Sequence, residues 1–194
     1  MTPFFRPRRS MLYVPGCLTR YLNKARALKV DSVILDLGDS VLIDNKEQSR
    51  KHVVEAVLQG GYGRREIVIR VNDLDSPWGN DDVKAVANIG ASAVLFPNIE
   101  SRLDVIEALA TLDAAGGSQL PIMVMIESPL AVLRAEEIAS ASDRIACLIL
   151  ATSDLLTQLH GRKTSDRLAL HYSLSHVLLV GRAYKRSVVD GISV

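Results

Sequence analysis

The sequence predicts an α/β fold of the TIM (β/α)8-barrel type, and three observations support this prediction. Short apolar segments alternate with segments of helical periodicity along the whole chain of 194 residues. The apolar segments are nearly continuous, which is typical of parallel strands that are covered on both faces. Seven such repeats follow one another without a linker, and an unbroken series favours a barrel over an open sheet. We therefore interpret residues 1–194 as one domain.

Each predicted element has a local reason. The strands are runs of aliphatic and β-branched residues bounded by turn formers. The predicted strands are Met11–Val14, Ser32–Leu37, Glu66–Val71, Ala93–Phe96, Pro121–Ile126, Ile145–Leu150 and, as the start of a seventh, Val188–Ile192. The helices have apolar residues at helical spacing, and glycines end several of them. The predicted helices are Leu18–Leu28, Lys46–Leu58, Asp81–Ile89, Arg102–Ala115, Ala131–Ser140 and Ser165–Arg186.

The length of the chain sets a limit on this interpretation. An eight-unit barrel takes about 250 residues, whereas this sequence stops inside or just after its seventh strand. We therefore expect a barrel that is truncated after the seventh strand. A dinucleotide-binding sheet is the weaker alternative, because the first strand is followed by Gly16 alone where the dinucleotide fingerprint needs three glycines.

Composition and charge exclude several classes of function. The chain has 23 Lys and Arg against 22 Asp and Glu, so bulk electrostatics do not favour a nucleic-acid partner. Its two cysteines, Cys17 and Cys147, do not make a disulfide scaffold. No apolar run approaches the ~20 residues that cross a bilayer, and the start of the chain lacks the apolar core of a secretory signal. We expect no membrane partner and a cytoplasmic location.

Polar residues stand at or after the ends of several predicted strands. Arg70 lies at the end of the third strand, Glu127 follows the fifth and Asp154 comes shortly after the sixth. Since chemistry in a barrel collects at the C-terminal ends of its strands, we expect these side chains on one rim. Two adjacent carboxylates suit Mg²⁺, which takes one or two of them and fills its shell with water and substrate oxygens. An arginine beside that ion is suited to a 2-oxo acid and its enolate.

A purely structural interpretation stays open for each of these residues taken singly. A glutamate at a strand end is often a solvated loop residue or a helix cap. Asp154 stands directly before Leu155, where it would cap a short helix. Position alone therefore does not establish the metal site.

An ordered series of motifs adds to this interpretation. The segments are 9–16 (RSMLYVPG), 34–41 (ILDLGDSV), 69–72 (IRVN), 96–101 (FPNIES), 125–129 (MIESP), 153–155 (SDL) and 189–191 (VDG). In this order they resemble the citrate lyase beta-subunit-like family within the HpcH/HpaI aldolase superfamily. The resemblance covers nearly the whole chain and implies a TIM barrel, usually assembled as trimers or hexamers of trimers. We therefore expect a homo-oligomer, a trimer.

The resemblance also implies an activity. Members of this family cleave or form a carbon–carbon bond in thioesters of 3-hydroxy acids, such as citryl, malyl and citramalyl thioesters of coenzyme A or of an acyl carrier. It implies that Glu127 and Asp154 hold Mg²⁺ and that Arg70 contacts the substrate. We predict a lyase that works through a metal-stabilised enolate, with Arg70 and Asp39 as its catalytic residues.

The resemblance further implies which residues meet the carrier. Lys24 in the first helix and the early arginine Arg9 correspond to basic residues that are placed to contact the phosphates of the thioester carrier. We therefore predict Arg70, Arg9 and Lys24 as the substrate-binding residues.

Three positions depart from the family pattern. Gly38 replaces a usual glutamate, Asn98 a usual lysine and Ala151 a usual glycine. Together with the missing eighth strand, these departures motivate an alternative, a degenerate and noncatalytic barrel that binds only a metal or a partner. A third possibility is an aldolase acting on free 2-oxo acids. Such relatives usually carry a Glu-His pair where this chain has Gly38 and Asp39, which counts against that possibility.

Overall fold

The structure, a computed structural model, describes residues 6–191 of the chain. Its strands are β1 Met11–Pro15, β2 Ser32–Asp36, β3 Glu66–Arg70, β4 Ala93–Phe96, β5 Ile122–Ile126, β6 Ile145–Leu150 and β7 Ser187–Val189. Its helices are α1 Thr19–Ala25, α2 Lys46–Gln59, α3 Gly79–Val86, α4 Arg102–Ala114, α5 Pro129–Leu133, α6 Ala135–Ala139, α7 Thr152–Gln158 and α8 His171–Ala183. Two short 3₁₀ helices cover Ile43–Asn45 and Leu168–Leu170.

The seven strands form one parallel sheet, and their order in the sheet is their order in the sequence. This confirms the predicted α/β fold of the TIM-barrel type. The sheet curls into a half-barrel, and within residues 6–191 no backbone pairing joins β1 to β7. Instead, Arg8 reaches across the amino-terminal ends of the strands and bonds Glu66 on β3 and Ser187 on β7.

Side chains on the two faces of the sheet belong to separate apolar clusters. The larger cluster lies on the convex face, where residues such as Leu35, Val94 and Leu148 pack under the helices. A smaller one fills the concave face and includes Ile34, Leu95, Met123, Met125, Cys147 and Ile149. Because side chains alternate along a strand, each strand contributes to both clusters. This alternation points Asp36, Arg70 and Glu127 towards the concave side at the carboxyl ends of β2, β3 and β5.

The structure corrects several predicted helix bounds. The helix predicted over Ser165–Arg186 begins only at His171, because Arg167 adopts a left-handed backbone (φ 55°) that a helix does not tolerate. The helix predicted over Ala131–Ser140 is two short helices, α5 and α6, which break at Arg134. The helix α7 was not predicted. The predicted seventh strand starts one residue earlier than expected, and Ile192 lies outside the described residues.

Among residues 6–191, every helix is either too short or too polar to traverse a bilayer.

Candidate active site

A cavity of about 540 Å³ opens at the carboxyl ends of β2 to β6. It is lined by Gly38, Asp39, Val41, Ile43, Lys46, Arg70, Val71, Asn72, Asp73, Ser76, Trp78, Pro97, Asn98, Glu127, Asp154 and Gln158. The structure thus brings four of the six predicted site residues to one cavity. These are Arg70, Asp39, Glu127 and Asp154.

Arg70 is held at the centre of this cavity by two carboxylates. Its Nε and Nη2 donate to the two carboxylate oxygens of Asp36 at 2.6 and 2.8 Å, and its Nη1 donates to Asp39 at 2.9 Å. Arg70 and Asp36 are buried, whereas the side chain of Asp39 is 90% exposed. Nε and Nη2 of Arg70 are therefore bonded to a buried carboxylate, whereas Nη1 is bonded to the exposed carboxylate of Asp39.

Burial opposes charge on both members of the Arg70–Asp36 pair, but the pairing outweighs it. Burial alone would raise the pKa of Asp36, yet the hydrogen bonds and charge of Arg70 hold that pKa below its usual range. Burial would likewise lower the pKa of Arg70, but the hydrogen bonds and charge of Asp36, together with Asp39 and Tyr13, raise that pKa overall. Both groups are therefore charged near neutral pH.

Gly38 packs against the face of Arg70. A Cβ atom at position 38 would lie 3.0 Å from both Cζ and Nε of the guanidinium, closer than side chains normally approach. The ring of Tyr13 lies on the concave side as well, 5.5 Å from Cζ of Arg70. The glycine therefore does more than remove a carboxylate, since it leaves the space that Arg70 needs to reach Asp36.

Glu127 follows β5 and is anchored by the backbone of the neighbouring strand end. The amide N–H of Asn98 donates to its Oε1 at 2.5 Å, and Gln158 donates to its carbonyl oxygen at 3.3 Å. Asn98 has a positive φ of 54°, and its side chain bonds Asp73. Burial raises the pKa of Glu127, and the negative charge of Asp154 raises it further.

Asp154 is an exposed residue in the first turn of α7 and lines the same cavity as Glu127. It is the third residue of that helix, while the N-cap position is Ala151, so Asp154 does not act as the cap. Within residues 6–191 its carboxylate forms no hydrogen bond or salt bridge. Asp154 therefore brings to the cavity, beside Glu127, a carboxylate that no described side chain pairs with.

The charge balance of the cavity suits a divalent cation. Its lining carries four carboxylates, on Asp39, Asp73, Glu127 and Asp154, against the two cations Lys46 and Arg70. In the described part of the chain, no three Asp, Glu, His or Cys side chains gather into a complete metal cage. An all-oxygen site with two carboxylates and open positions is the kind that Mg²⁺ occupies, since it keeps several water or substrate ligands.

Lys46 is a cavity residue that the sequence did not reveal. Its Nζ donates to the carbonyl oxygens of Leu37 and Gly38 at 2.9 and 2.8 Å and to Oδ1 of Asn72 at 2.6 Å. Burial lowers the pKa of Lys46, against the opposing charges of nearby aspartates. A lysine in the first turn of a helix usually faces water, so no sequence signal marks this one. Its three bonds fix the loop between β2 and α2.

The structure does not bring Arg9 and Lys24 to this cavity. Arg9 precedes β1 and pairs with Asp31 at 2.7 Å, at the opposite, amino-terminal end of the sheet. Its side chain is 79% exposed. Lys24 lines a separate cavity of about 250 Å³ between α1 and β1, beside Tyr13 and Tyr21. Of the predicted substrate-binding residues, only Arg70 lies with the two predicted metal ligands.

Comparison with known proteins gives consistent matches over almost the whole chain. A family model described as HpcH/HpaI aldolase/citrate lyase matches residues 9–194. A (3S)-malyl-CoA thioesterase from Cereibacter sphaeroides is 40% identical over 186 residues, which are 96% of this chain and 63% of that protein. Citrate lyase subunit beta from Leuconostoc mesenteroides is 34% identical over 194 residues, covering 96% of this chain and 64% of that protein.

The fold is similar to that of a solved structure with bound ligands. Protein CitE from Mycobacterium tuberculosis, in complex with magnesium, acetoacetate and coenzyme A, superimposes with a TM-score of 0.78 and 25% identity. The match covers 95% of this chain and 65% of that chain. This chain therefore spans 63–64% of the length of the two curated relatives named above.

Proposed function

This chain belongs to the HpcH/HpaI aldolase/citrate lyase family, and from that premise we propose that it is a Mg²⁺-dependent carbon–carbon lyase. Its substrate is a coenzyme A or acyl-carrier thioester of a 3-hydroxy acid of the citryl, malyl or citramalyl type. Names among its relatives support the substrate class, since one acts on malyl-CoA and another is a citrate lyase subunit. A homo-oligomer, a trimer, is part of the same proposal, and sedimentation velocity tests it.

The observation that carries the proposal is the pair Glu127 and Asp154 on one cavity with Arg70. The two carboxylates would hold Mg²⁺, and the raised pKa of Glu127 reflects a buried negative charge that a cation would stabilise. The related CitE structure contains magnesium and supports this choice of ion. When bound, the ion supplies positive charge close to the place where the reacting carbonyl oxygen becomes negative.

Arg70 would orient the substrate from the other side of the cavity. Asp36 fixes the plane of the guanidinium, so its free end points in one direction. Asp39 occupies Nη1, but it is exposed and can move away at little cost. A substrate carboxylate or oxo group would then take the place of Asp39 on Nη1. In this proposal Arg70 touches the substrate, and Asp39 receives or returns a proton at the mouth of the cavity.

Thioester hydrolysis is a second candidate, favoured by the 40% identity to a malyl-CoA thioesterase. The two reactions release different products from malyl-CoA. Carbon–carbon cleavage gives a 2-oxo acid and leaves the thioester bond intact, whereas hydrolysis gives a free thiol and a dicarboxylic acid. The same cavity serves either reaction, because both develop negative charge on a carbonyl oxygen.

One assay separates these candidates. The chain is incubated with Mg²⁺ and either (3S)-malyl-CoA or citramalyl-CoA, and the 2-oxo acid is trapped with phenylhydrazine while free thiol is followed with a disulfide reagent. We expect the phenylhydrazone signal with both Glu127 and Asp154 intact. A thiol signal without phenylhydrazone would favour the thioesterase. Mg²⁺ binding without either product would favour the degenerate, noncatalytic barrel.

Variants of the two carboxylates test the proposed metal site. Glu127→Gln and Asp154→Asn remove charge with little change in shape, and each is expected to weaken Mg²⁺ binding by at least about tenfold in calorimetric titration. Glu55→Gln is the matched control, since Glu55 is an exposed carboxylate on α2. Equal Mg²⁺ binding by all three variants and the parent would refute the proposed metal site.

A further inference from the structure

Asp82 is a buried carboxylate near the candidate active site, although it does not line the cavity. It stands in the first turn of α3, and hydrogen bonds use both of its oxygen atoms. Oδ1 accepts from Nε of Arg50 on α2 at 2.7 Å. Oδ2 accepts from the backbone N–H and the side-chain Nδ2 of Asn72 at 3.0 and 2.6 Å. The carboxylate therefore joins two helices to the segment directly after β3.

The chain turns back tightly after β3, and this turn places Asp82 beside Asn72. Gly79, the first residue of α3, lies so close to the preceding loop that a Cβ there would collide with the carbonyl oxygen of Asp73. Its N–H lies 3.2 Å from Oγ of Ser76, to which it donates. Glycine at this position therefore lets the first turn of α3 reach the end of β3. A carboxylate also suits that turn, where backbone N–H groups give a partial positive charge.

Asp82 fixes the direction in which the side-chain amide of Asn72 points. A carboxylate only accepts hydrogen bonds, so it holds the NH2 group of the amide on its own side. The same Nδ2 also donates to the carbonyl oxygen of Leu37 at 2.9 Å. Oδ1 of Asn72 is then free to accept from Nζ of Lys46 at 2.6 Å. The reverse orientation would place the NH2 group against the ammonium of Lys46, where a donor would face a donor.

Lys46 extends this path of hydrogen bonds to the segment after β2. Its Nζ donates to the carbonyl oxygens of Leu37 and Gly38 at 2.9 and 2.8 Å, and the next residue is Asp39. The carboxylate of Asp39 accepts from Nη1 of Arg70 at 2.9 Å, although its side chain is exposed. Solvent does not hold an exposed side chain in one place, so the backbone before Asp39 sets the position of its carboxylate.

Electrostatic interactions act along the same path. Burial lowers the pKa of Lys46, and the positive charge of Arg70 lowers it too. The negative charges of Asp36, Asp39 and Asp82 act in the opposite direction. Asp82 therefore helps to keep the ammonium group of Lys46 protonated, which it must be to donate three hydrogen bonds.

We propose that Asp82 is a positioning residue of the candidate active site. Acting through Asn72 and Lys46, it holds the backbone of residues 37–39 in place. It thereby sets where Asp39 meets the substrate, and this part of the inference rests on the proposed function, in which Asp39 exchanges a proton there. The path of hydrogen bonds from Asp82 to the backbone of residues 37–39 does not depend on which reaction the cavity performs.

The variant Asp82→Asn should slow turnover more than it weakens substrate binding. An NH2 group replaces one acceptor oxygen, so either Asn72 or Arg50 loses its partner. Arg70 does not depend on this path, because the buried Asp36 holds two of its nitrogen atoms. With (3S)-malyl-CoA and Mg²⁺, we expect kcat to fall by about tenfold or more while KM stays within about threefold of the parent.

Arg50→Met is the matched control. It breaks the bond on the other side of the same carboxylate and leaves the path from Asp82 to Asn72 intact. Urea denaturation should show that both variants are less stable than the parent, but in Arg50→Met kcat should stay within about threefold. If Asp82→Asn does not fold, Asn72→Ser interrupts the path one residue further on and should show the same fall in kcat.

A second measurement does not need turnover. In proton–nitrogen correlation spectra, the amide signals of Gly38 and Asp39 report the position of this backbone, and a side-chain carbon signal of Lys46 followed with pH reports its pKa. In Asp82→Asn we expect both amide signals to move and the pKa of Lys46 to fall, because a negative charge is lost. In Arg50→Met the amide signals should stay close to those of the parent, and the pKa of Lys46 should not fall, because a positive charge is lost.

Three outcomes separate this inference from the proposed function. Amide signals of Gly38 and Asp39 that stay in place in Asp82→Asn would overturn it, whether or not the parent turns over a thioester. Equal falls of kcat in Asp82→Asn and Arg50→Met would overturn it too, since Asp82 would then only stabilise the fold. If the parent turns over no thioester but the amide signals move in Asp82→Asn alone, the proposed function fails and the positioning of residues 37–39 by Asp82 stands.

Discussion

Asp36 and Arg70 are register partners at the ends of β2 and β3, and they form a two-pronged ion pair on the concave side of the sheet. Parallel pairing places the two Cα atoms side by side, and strand alternation points both side chains the same way. The pair therefore follows directly from the sheet. It turns the guanidinium of Arg70 into a fixed part of the cavity wall.

Removing Asp36 should destabilise the protein strongly. In Asp36→Ala the buried guanidinium of Arg70 loses both of its main acceptors, and the free energy of unfolding should fall by about 3–5 kcal/mol. Urea denaturation followed by circular dichroism measures this change. Asp31→Ala is the control, because its partner Arg9 is 79% exposed and can be solvated by water, so the loss of stability should be clearly smaller. Similar losses in the two variants would contradict the structural account.

Replacing Lys46 by methionine should loosen the loop between β2 and α2. The ammonium group of Lys46 donates to Oδ1 of the buried Asn72, and its loss leaves that acceptor without its donor. The free energy of unfolding should fall by about 1–3 kcal/mol. Lys51→Met, on an exposed position of the same helix, should stay within about 0.5 kcal/mol of the parent. The prediction fails if urea midpoints of the two variants coincide.

The backbone at Asn98 should matter more than its side chain for metal binding. Asn98→Gly keeps the left-handed backbone and the N–H that bonds Glu127, so Mg²⁺ affinity should remain within about threefold of the parent. Asn98→Val disfavours a positive φ and should displace that N–H, lowering Mg²⁺ affinity by about tenfold or more. Calorimetric titration of the two folded variants makes the comparison. Equal affinities would show that the N–H does not position Glu127.

Low pH should lower the stability of the folded protein, in part because Glu66 becomes protonated. Burial alone would raise the pKa of Glu66, but its bonds to Arg8 and Ser32 outweigh burial and hold the pKa below its usual range. A lowered pKa in the folded state means that the stabilisation is complete above the unfolded pKa, about 4.3. It is lost as the pH falls through the folded value.

The variant Glu66→Gln isolates this contribution. At pH 7 it should be less stable than the parent by about 2–4 kcal/mol, because Arg8 loses its charged partner. The difference in stability between the parent and the variant should narrow as the pH drops from 5 towards 3, since the parent loses the same charge by protonation. Thermal unfolding across this range provides the readout. A gap that stays constant with pH would rule out the proposed linkage.

The sequence was sufficient to predict the parallel strands and the shared rim. Continuous apolar runs predict covered strands, and the carboxyl ends of such strands must lie at one edge of the sheet, so Arg70, Glu127 and Asp154 were expected to lie together. Helix bounds near Arg167 were less predictable. Arg167 has a left-handed backbone there, and its side chain pairs with Asp190, which is 23 residues away in the chain.

Side-chain partnerships could not be predicted in the same way. The sequence predicts that Arg70 contacts the substrate, but in the structure two nitrogen atoms of its guanidinium bond Asp36. Gly38 was interpreted only as a missing carboxylate, although it also clears the space beside Arg70. The first relationship depends on the register of β2 against β3, and the second on how closely the segment after β2 approaches Arg70. No pattern of polarity along a single segment records such an approach.

Arg8 bonds both Glu66 and Ser187 and so joins β3 to β7 at the amino-terminal ends of the strands. Because Glu66 and Ser187 belong to strands that are not neighbours in the sheet, this bridge limits how far β3 and β7 can separate at these ends.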